Sequence, residues 1–320
     1  MAITDFSAFL AEEISKVKGI AYPVKAGFLR RVFIRRAACS KLHPNPNDEF
    51  CSREIGPNYE IMSRYMSEYR RVLTGSLDPV FINTAARRSC EADWGGSDEK
   101  NSEGSSLGER ILVERIHPDG YMILNGHHRW GAACRIGLDT LPIRIVDLTQ
   151  ESDFRKMLAS SASERRVSLD LDEVIFRPAD DPYLEKPLRF PLNRIYRERL
   201  RLGIPALFHM LNSDNYDIWV YTAGYYSLDY LRYCFKHYSI RVTGIVTGMA
   251  RKAPPGTDTR KEMEALLNSK YKTTVHIDND TVIRTDPASA SFDEYRLSGN
   301  GSAWSREVMK IFEDWKKKGR

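Results

Sequence analysis

The strongest constraint on the fold is an alternation of short apolar segments with amphipathic segments from Val167 to the end of the chain. The apolar segments predict strands at 167–171, 217–222, 242–246 and 273–277. The amphipathic segments predict helices at about 191–213, 227–237, 259–268 and 302–317. Strands that are separated by helices indicate a parallel sheet with helices on both faces. The second half is therefore expected to be an α/β domain.

The chain is long enough for two domains. It has 320 residues, of which 42% are hydrophobic, so it can bury two ordinary cores. After a short helix near Asp153, the segment ASSASERR is small and polar, which is typical of a connection between domains. We predict a first domain over 1–150, a linker over 151–165 and a second domain over 166–320.

The first domain is predicted to be of the α+β type. Its first helix has apolar residues at helical spacing from Phe6 to Val17, after a possible cap at Thr4. Further predicted elements are a helix from about Tyr59 to Val72, a short strand at Val80–Ile82, a mobile loop at Gly95–Gly108, strands at Ile111–Ile116, Tyr121–Leu124 and Leu141–Val146, and a helix at about His128–Ile136.

Charge and cysteine content limit the classes of protein. Residues 1–41 hold eight Lys or Arg against three acids. Such a basic segment can bind phosphates, although a solvated helix face is the commoner explanation. The five cysteines are widely spaced and form no C-x-x-C pair, so neither a disulfide framework nor a zinc site is expected. No leader and no run of about 18 apolar residues is found, so we expect a cytoplasmic protein without a membrane partner.

Two carboxylates follow the first strand of the second half. Asp170 and Asp172 come directly after an apolar segment, at the end of a strand where parallel sheets bind ligands. One carboxylate can attack a phosphorus atom while the other transfers a proton. Mg²⁺ would relieve the repulsion between the carboxylates and offset the charge of a phosphate. The pair therefore predicts metal-assisted phosphoryl chemistry.

The segment VSLDLDEVIF resembles the first motif of the haloacid dehalogenase superfamily, D-x-D-x-[TV]. The resemblance implies a Rossmann-like parallel-sheet domain in which Asp170 is the nucleophile and Asp172 the acid and base. It also implies that Asp170 and Asp172 bind Mg²⁺, the latter through its carbonyl. Only 51 residues separate Asp170 from Thr222, which leaves room for little or no cap. The narrower resemblance is to phosphatases of the Fcp/Scp type.

Three later segments fit the remaining motifs of that superfamily. IWVYTAG ends a strand with Thr222, which would bind a phosphoryl oxygen. Lys261, near the start of a predicted helix, is preferred to Lys252 as the lysine that neutralises the nucleophile and the phosphate. TVHIDND ends a strand with Asp278 as the best further magnesium ligand and Asp280 as a weaker one.

The first domain carries a basic motif of its own. Gly126, His127, His128 and Arg129 lie where a predicted strand leads into a helix. Free N–H groups, the helix dipole and the basic side chains would form an anion site, with glycine allowing close approach of a phosphate. The alternatives are that the histidines cap the helix or bind a metal, although no third ligand is obvious.

The stretch from Tyr121 to Asp147 resembles the ParB/sulfiredoxin superfamily, particularly its serine-kinase branch with the sequence GHHR. That resemblance implies ATP, ADP or another nucleotide as ligand. Sulfiredoxins need a cysteine at the position of His127, so sulfinic acid reduction is not expected. The kinase branch commonly has Asp at the position of Asn125, and no acidic residue could be assigned as its base.

Together these patterns predict a magnesium-dependent phosphomonoester hydrolase that forms an aspartyl-phosphate and carries a nucleotide-binding ParB-like domain. An uncapped site would admit phosphorylated macromolecules. One alternative is a kinase and a phosphatase in the same chain. Another is a nucleic-acid-binding module that delivers the phosphatase to DNA or RNA ends, for which steep salt dependence would be diagnostic.

Overall fold

A computed structural model describes residues 3, 5–19, 22–74, 110–251, 259–286, 291–299 and 301–318. The predicted strand at Val80–Ile82, the predicted loop at Gly95–Gly108 and Lys252 lie outside these residues. Contacts divide the chain into two compact units, of which the first ends at Asp147 and also includes Arg251, while the second begins at Leu148. No described helix has the length and apolar character that crossing a membrane requires.

The first unit contains a mixed six-stranded sheet. Its strands are β1 (Tyr22–Pro23), β2 (Arg36–Ala38), β3 (Leu42–His43), β4 (Ile111–His117), β5 (Tyr121–Asn125) and β6 (Thr140–Ile145). The order is β2-β6-β4-β5-β3, with β1 beside β4. The β4/β6 and β3/β5 pairs are parallel, and the β4/β5, β2/β6 and β1/β4 pairs are antiparallel.

Four described helices belong to the first unit: α1 (Phe6–Val17), α2 (Phe28–Phe33), α3 (Tyr59–Leu73) and α4 (His127–Ile136). The carboxylate of Asp5 caps α1 by accepting the N–H of Ala8, and Thr4, the predicted cap, lies outside the described residues. The helices bury Phe6, Met62 and Trp130 in one apolar core with side chains of the sheet. An α+β arrangement is thus present in this unit.

The second unit contains a six-stranded sheet. Its strands are β7 (Arg165–Asp170), β10 (Asp217–Tyr221), β11 (Gly244–Val246), β12 (Thr273–Ile277), β13 (Thr281–Asp286) and β14 (Ser291–Arg296), in the order β11-β10-β7-β12-β13-β14. The first four strands are parallel, and β13 and β14 run antiparallel. The four strands predicted from the sequence are therefore parallel, as expected, and β13 and β14 add an antiparallel edge because the short turn after β12 can only return the chain antiparallel to it.

Six described helices belong to the second unit: α5 (Glu151–Ala159), α6 (Leu192–Ile195), α7 (Ile204–Ser213), α8 (Leu228–His237), α9 (Thr259–Lys270) and α10 (Trp304–Lys317). Phe154 and Met157 of α5 join the core of this unit. The segment 151–165, predicted as a linker, therefore lies within the second unit. The helix predicted near Asp153 corresponds to α5, and its apolar side packs into the core of the second unit.

The chain between β7 and β10 forms small elements. A π-helical turn at Leu171–Ile175 is followed by a two-stranded sheet of β8 (Phe176–Arg177) and β9 (Arg199–Leu200). The region predicted as helices at about 191–213 contains α6 and α7 with β9 between them, and Gly203 adopts φ +85° directly before α7 begins. A Cβ at Gly203 would lie 2.0 Å from the hydroxyl of Ser305, so both the backbone and the packing require glycine there.

Candidate functional site

Three neighbouring parallel strands bring the predicted catalytic side chains to one edge of the second sheet. Asp170 on β7 lies opposite Tyr221, the last residue of β10. Leu169 lies opposite Ile277, the last residue of β12. Thr222 and Asp278, the residues that follow β10 and β12, consequently flank Asp170 at the carboxyl ends of the strands. That edge is where open parallel sheets bind ligands.

Local hydrogen bonds fix the two carboxylates of the first motif. Oδ1 of Asp170 accepts the backbone N–H groups of Asp172 and Glu173, each at 2.8 Å, and so caps the π-helical turn. The buried hydroxyl of Thr222 donates to Oδ2 of Asp172. The same hydroxyl accepts the N–H of Gly224 at 2.8 Å. Thr222 therefore contacts the predicted proton donor directly, a contact that its predicted role toward phosphate did not include.

The electrostatics of the site favour a bound cation. Burial raises the pKa of Asp170, and the negative charge of Asp278 raises it further. Asp278 is exposed, and its carboxylate accepts the N–H of Asn279 at 2.7 Å. Two like charges at the edge of one sheet repel each other, and an oxygen-coordinated divalent cation removes that repulsion.

The magnesium set predicted from sequence is only partly assembled from side chains. Among the described residues no three side chains of metal-ligating type come together. Asp170 and Asp278 interact as a pair of carboxylates, whereas the carboxylate of Asp172 bonds to Thr222. The pair and the backbone carbonyl of Asp172 are oxygen donors, and these suit Mg²⁺. The residues present therefore fit the ion through two side chains and one carbonyl.

The remaining two candidates of this site have different surroundings. Lys261 lies in the first turn of α9 and is exposed. Asp280, the weaker candidate ligand, is exposed in the turn between β12 and β13, and its carbonyl accepts the N–H of Leu297 at 2.7 Å. Asp280 thus helps to close a loop, whereas Lys261 lies two residues after the start of α9.

A pocket of about 210 Å³ lies beside the carboxylates. Its lining includes Ser168, Asp170, His276 and Asp278. The Ser168 hydroxyl and Nδ1 of His276 are 2.5 Å apart, and burial and then Arg166 lower the pKa of His276. Sequence reasoning missed Ser168 and His276. Each stands two residues before a predicted catalytic aspartate, so strand alternation puts it on the same face, and that spacing is the signal that could have found it.

Arg201 is a second residue that the sequence did not indicate. Its side chain is 3% exposed, donates to Oδ1 of Asn279 at 2.6 Å and stacks over the ring of Trp304 at 4.2 Å. The indole N–H of Trp304 donates to the carbonyl of Asn279 at 2.9 Å. Both contacts hold the residue next to Asp278. They join positions far apart in the chain, for which a single sequence gives no signal.

In the first unit, Gly126 and Arg129 form a compact start to α4. Gly126 adopts φ +106°, a conformation that favours glycine. A Cβ at this position would lie 3.1 Å from Ile111 and 3.2 Å from Nη2 of Arg129. Arg129 also donates to Oδ1 of Asn125 at 3.4 Å. A guanidinium thus lies beside the amino end of a helix, which is a suitable arrangement for an anion.

The two histidines of this motif differ from the prediction. Nε2 of His127 accepts the N–H of Asn45 at 3.2 Å, and Nε2 of His128 accepts the N–H of Asn58 at 3.1 Å. Burial lowers the pKa of His127 to about 4, with a further effect of His128, and burial lowers the pKa of His128 as well. Neutral rings whose Nε2 atoms accept backbone hydrogen bonds anchor the segment before α3 and do not offer those atoms to a phosphate.

Known protein families give one match to the chain. Residues 105–162 match the ParB N-terminal domain. This ParB-like segment contains β4, β5, α4, β6 and α5, and hence the whole GHHR motif. It covers a minor part of the chain and supports only the ParB side of the two resemblances. Neither the curated proteins nor the solved structures gave a match.

Proposed function

We propose that this chain is a magnesium-dependent phosphomonoester hydrolase that forms an aspartyl-phosphate on Asp170. The observation that carries the proposal is the convergence of Asp170, Thr222 and Asp278 at the carboxyl edge of three adjacent parallel strands. The contact between Thr222 and Asp172 adds the proposed proton donor to the same edge. Nucleophile, proton donor and phosphate-binding groups are the parts that this reaction needs.

In the first step, an oxygen of Asp170 forms a bond to phosphorus while the bond from phosphorus to the leaving oxygen breaks. Asp172 gives its proton to that leaving oxygen. In the second step, water attacks phosphorus, Asp172 takes the proton of the water, and the bond from Asp170 to phosphorus breaks to release phosphate. Lys261 holds the phosphoryl oxygens in both steps, while the hydroxyl of Thr222 holds Asp172. Asp170, Asp278 and the carbonyl of Asp172 would hold Mg²⁺, which would supply positive charge against the phosphate.

The hydrogen bond from Thr222 fits the double role of Asp172. A hydroxyl that donates to one carboxylate oxygen keeps the group in a single orientation. Proton exchange with the leaving group and then with water is assigned to the same carboxyl group. Asp170 accepts its two N–H bonds on one oxygen, and these hold its orientation for attack in the same way.

For the substrate, we propose a phosphorylated group that projects from a larger molecule. The supporting observation is that only two short strands and a short helix occupy the chain between the π-helical turn and α7. We further propose that the ParB-like segment binds the phosphates of a nucleotide through Gly126, Arg129 and the amino end of α4. His127 and His128 contribute by fixing the neighbouring backbone.

The ParB-like match also favours a second candidate, in which the first unit binds nucleic acid and brings the phosphatase to DNA or RNA ends. The ligand that the first unit binds distinguishes the two candidate functions. A nucleotide site should bind ATP, ADP or CTP in calorimetry and lose that binding in Arg129→Ala. A nucleic-acid module should bind oligonucleotides with an affinity that falls steeply as salt rises. The kinase alternative requires transfer of phosphate from a nucleotide.

The hydrolase proposal is tested by a phosphatase screen. Phosphoamino acids, phosphopeptides, nucleotides and end-phosphorylated oligonucleotides are assayed for released phosphate with Mg²⁺, and again with excess chelator. We expect turnover of at least one class that chelator abolishes and added Mg²⁺ restores. Full activity in excess chelator would reject the magnesium-dependent mechanism, and no turnover of any class would reject the hydrolase.

A further inference from the structure

Helix α2 exposes apolar side chains to an unusual degree. Phe28, Leu29 and Phe33 are 65%, 67% and 76% exposed, and Val32 is 38% exposed. They make up four of the six residues of the helix. Single exposed apolar residues are normal in proteins, but contiguous ones mark interaction surfaces. No residue of α2 is buried, so the helix contributes no apolar side chain to the core of its own unit.

An ion pair between Arg31 and Asp147 anchors the side of α2 that faces its own unit. The side chain of Arg31 is 11% exposed, and its Nε lies 3.3 Å from a carboxylate oxygen of Asp147, whose side chain is 7% exposed. Asp147 also accepts the N–H of Ala26 at 2.7 Å and the N–H of Gly27 at 3.0 Å. These bonds fix the start of α2 and its rotation. The apolar residues therefore point outward because the polar anchor points inward, which reverses the usual pattern of a surface helix.

The chain segment that contains α2 is rich in basic residues. From Ile14 to Asn47 the chain has eight Lys or Arg and no acidic residue. Arg30 and Arg35, in and directly after α2, are exposed. We propose that this surface, formed by Phe28, Leu29, Val32 and Phe33 with Arg30 and Arg35 and called here the α2 face, docks an acidic protein segment that carries apolar side chains.

Charge complementarity and side-chain type favour an acidic protein segment over a second copy of the chain or a nucleic acid. A second copy would bring the arginines of one α2 face against those of the other, and like charges repel. Four side chains also fall short of the roughly 800 Å² per partner that stable interfaces bury. Single-stranded nucleic acid would gain from stacking on Phe28 and Phe33, but the aliphatic Leu29 and Val32 offer no stacking surface. An amphipathic acidic helix can satisfy both the apolar and the basic residues.

The test uses a labelled synthetic peptide of about 18 residues, with Leu at helical spacing and Glu elsewhere, and the full chain, with binding followed by fluorescence anisotropy. We expect saturable binding that weakens with salt. Phe28→Ser with Phe33→Ser, and separately Arg30→Glu with Arg35→Glu, should each weaken it by about tenfold or more. Arg306→Glu with Lys310→Glu, on an exposed side of α10, is the matched control and should bind as wild type does.

Thermal unfolding of each variant checks that these surface changes leave the fold intact. No binding at about 100 µM peptide, or equal binding by the variants and the control, would overturn the proposal. Tighter binding of a single-stranded oligonucleotide that competes with the peptide would assign the surface to nucleic acid and overturn it too. So would a dimer, detected by light scattering, that the Phe28→Ser, Phe33→Ser variant dissociates. None of these results depends on phosphatase activity.

Discussion

Thr222 donates the hydrogen of its hydroxyl to the carboxylate of Asp172, although 49 residues lie between them in the chain. Thr222 follows the end of β10, and Asp172 lies in the turn after β7. Because β10 and β7 are parallel neighbours, both residues lie at the same edge of the sheet. This contact links Thr222 of the second motif to Asp172, the predicted proton donor of the first.

Removing that hydroxyl should slow the reaction. Thr222→Val keeps the shape of the side chain but loses a hydrogen bond to a charged group, which is usually worth about 1.5–3 kcal/mol. We expect kcat for a small aryl phosphate to fall by roughly 10- to 150-fold, since about 1.4 kcal/mol corresponds to tenfold. Thr222→Ser retains the hydroxyl and should keep most of the activity. Equal activity of the Val variant and wild type would show that the contact has no role in turnover.

The carboxyl of Asp170 should titrate above the normal range for an aspartate. Burial raises its pKa first and Asp278 second, so Asp278→Asn should lower the pKa without returning it to the value of an exposed group. The measurement is a carbon NMR titration of the metal-free protein, which does not require catalysis. A pKa of Asp170 that Asp278→Asn leaves unchanged would mean that the two carboxylates do not interact.

Glu114 of β4 should make stability depend on pH. Its side chain is 1% exposed, burial raises its pKa, and Arg251 at 3.3 Å opposes the rise only in part. A carboxyl with a raised pKa in the folded state favours the protonated form, so stability falls as pH rises from its unfolded to its folded pKa. Glu114→Gln should remove that fall. Melting temperatures should agree with wild type at low pH, and the variant should melt higher near neutrality. The same pH profile in both proteins would contradict this.

Substitutions in the GHHR motif should distinguish residues that anchor the fold from residues that bind the nucleotide. His127→Ala leaves the N–H of Asn45 without its acceptor, which should lower the free energy of unfolding by about 1–3 kcal/mol. Arg129→Ala should instead weaken nucleotide binding by about 1.5–3 kcal/mol, while hydrolysis at Asp170 stays nearly unchanged. Denaturant unfolding and calorimetry measure the two effects. Unaltered stability of His127→Ala would contradict the anchoring role.

Elements with a strong local pattern could be predicted from the sequence. The strand at 273–277 agrees with β12, and the segments around Asp170 and Thr222 form adjacent parallel strands. Prediction and structure agree for these strands because apolar segments bounded by polar turns indicate a strand from the local sequence alone. The strands β13 and β14 were missed. They carry many charged and polar residues, such as Asp293 and Glu294 of β14, and the pairing of β13 with β12 and of β14 with β13 stabilises strands that propensity alone does not predict.

The site was predictable to the extent that its residues end strands. Asp170, Thr222 and Asp278 share that property, and the order of parallel neighbours brings them together. The partner Arg201 is set by packing between residues far apart in the chain, which a single sequence does not encode in any local pattern. The neutral state of His127 also depends on burial by distant residues such as Phe50, whose ring centroid lies 5.6 Å from the imidazole.

The central claim is that Asp170 is the nucleophile. The most direct measurement is the turnover of a small aryl phosphate by wild type and by Asp170→Asn, with Mg²⁺ present and with thermal unfolding as a check on the fold. Because an amide cannot form the acyl-phosphate, we expect the variant to fold normally and to lose measurable turnover. Turnover of a correctly folded Asp170→Asn variant at the wild-type rate would contradict the account.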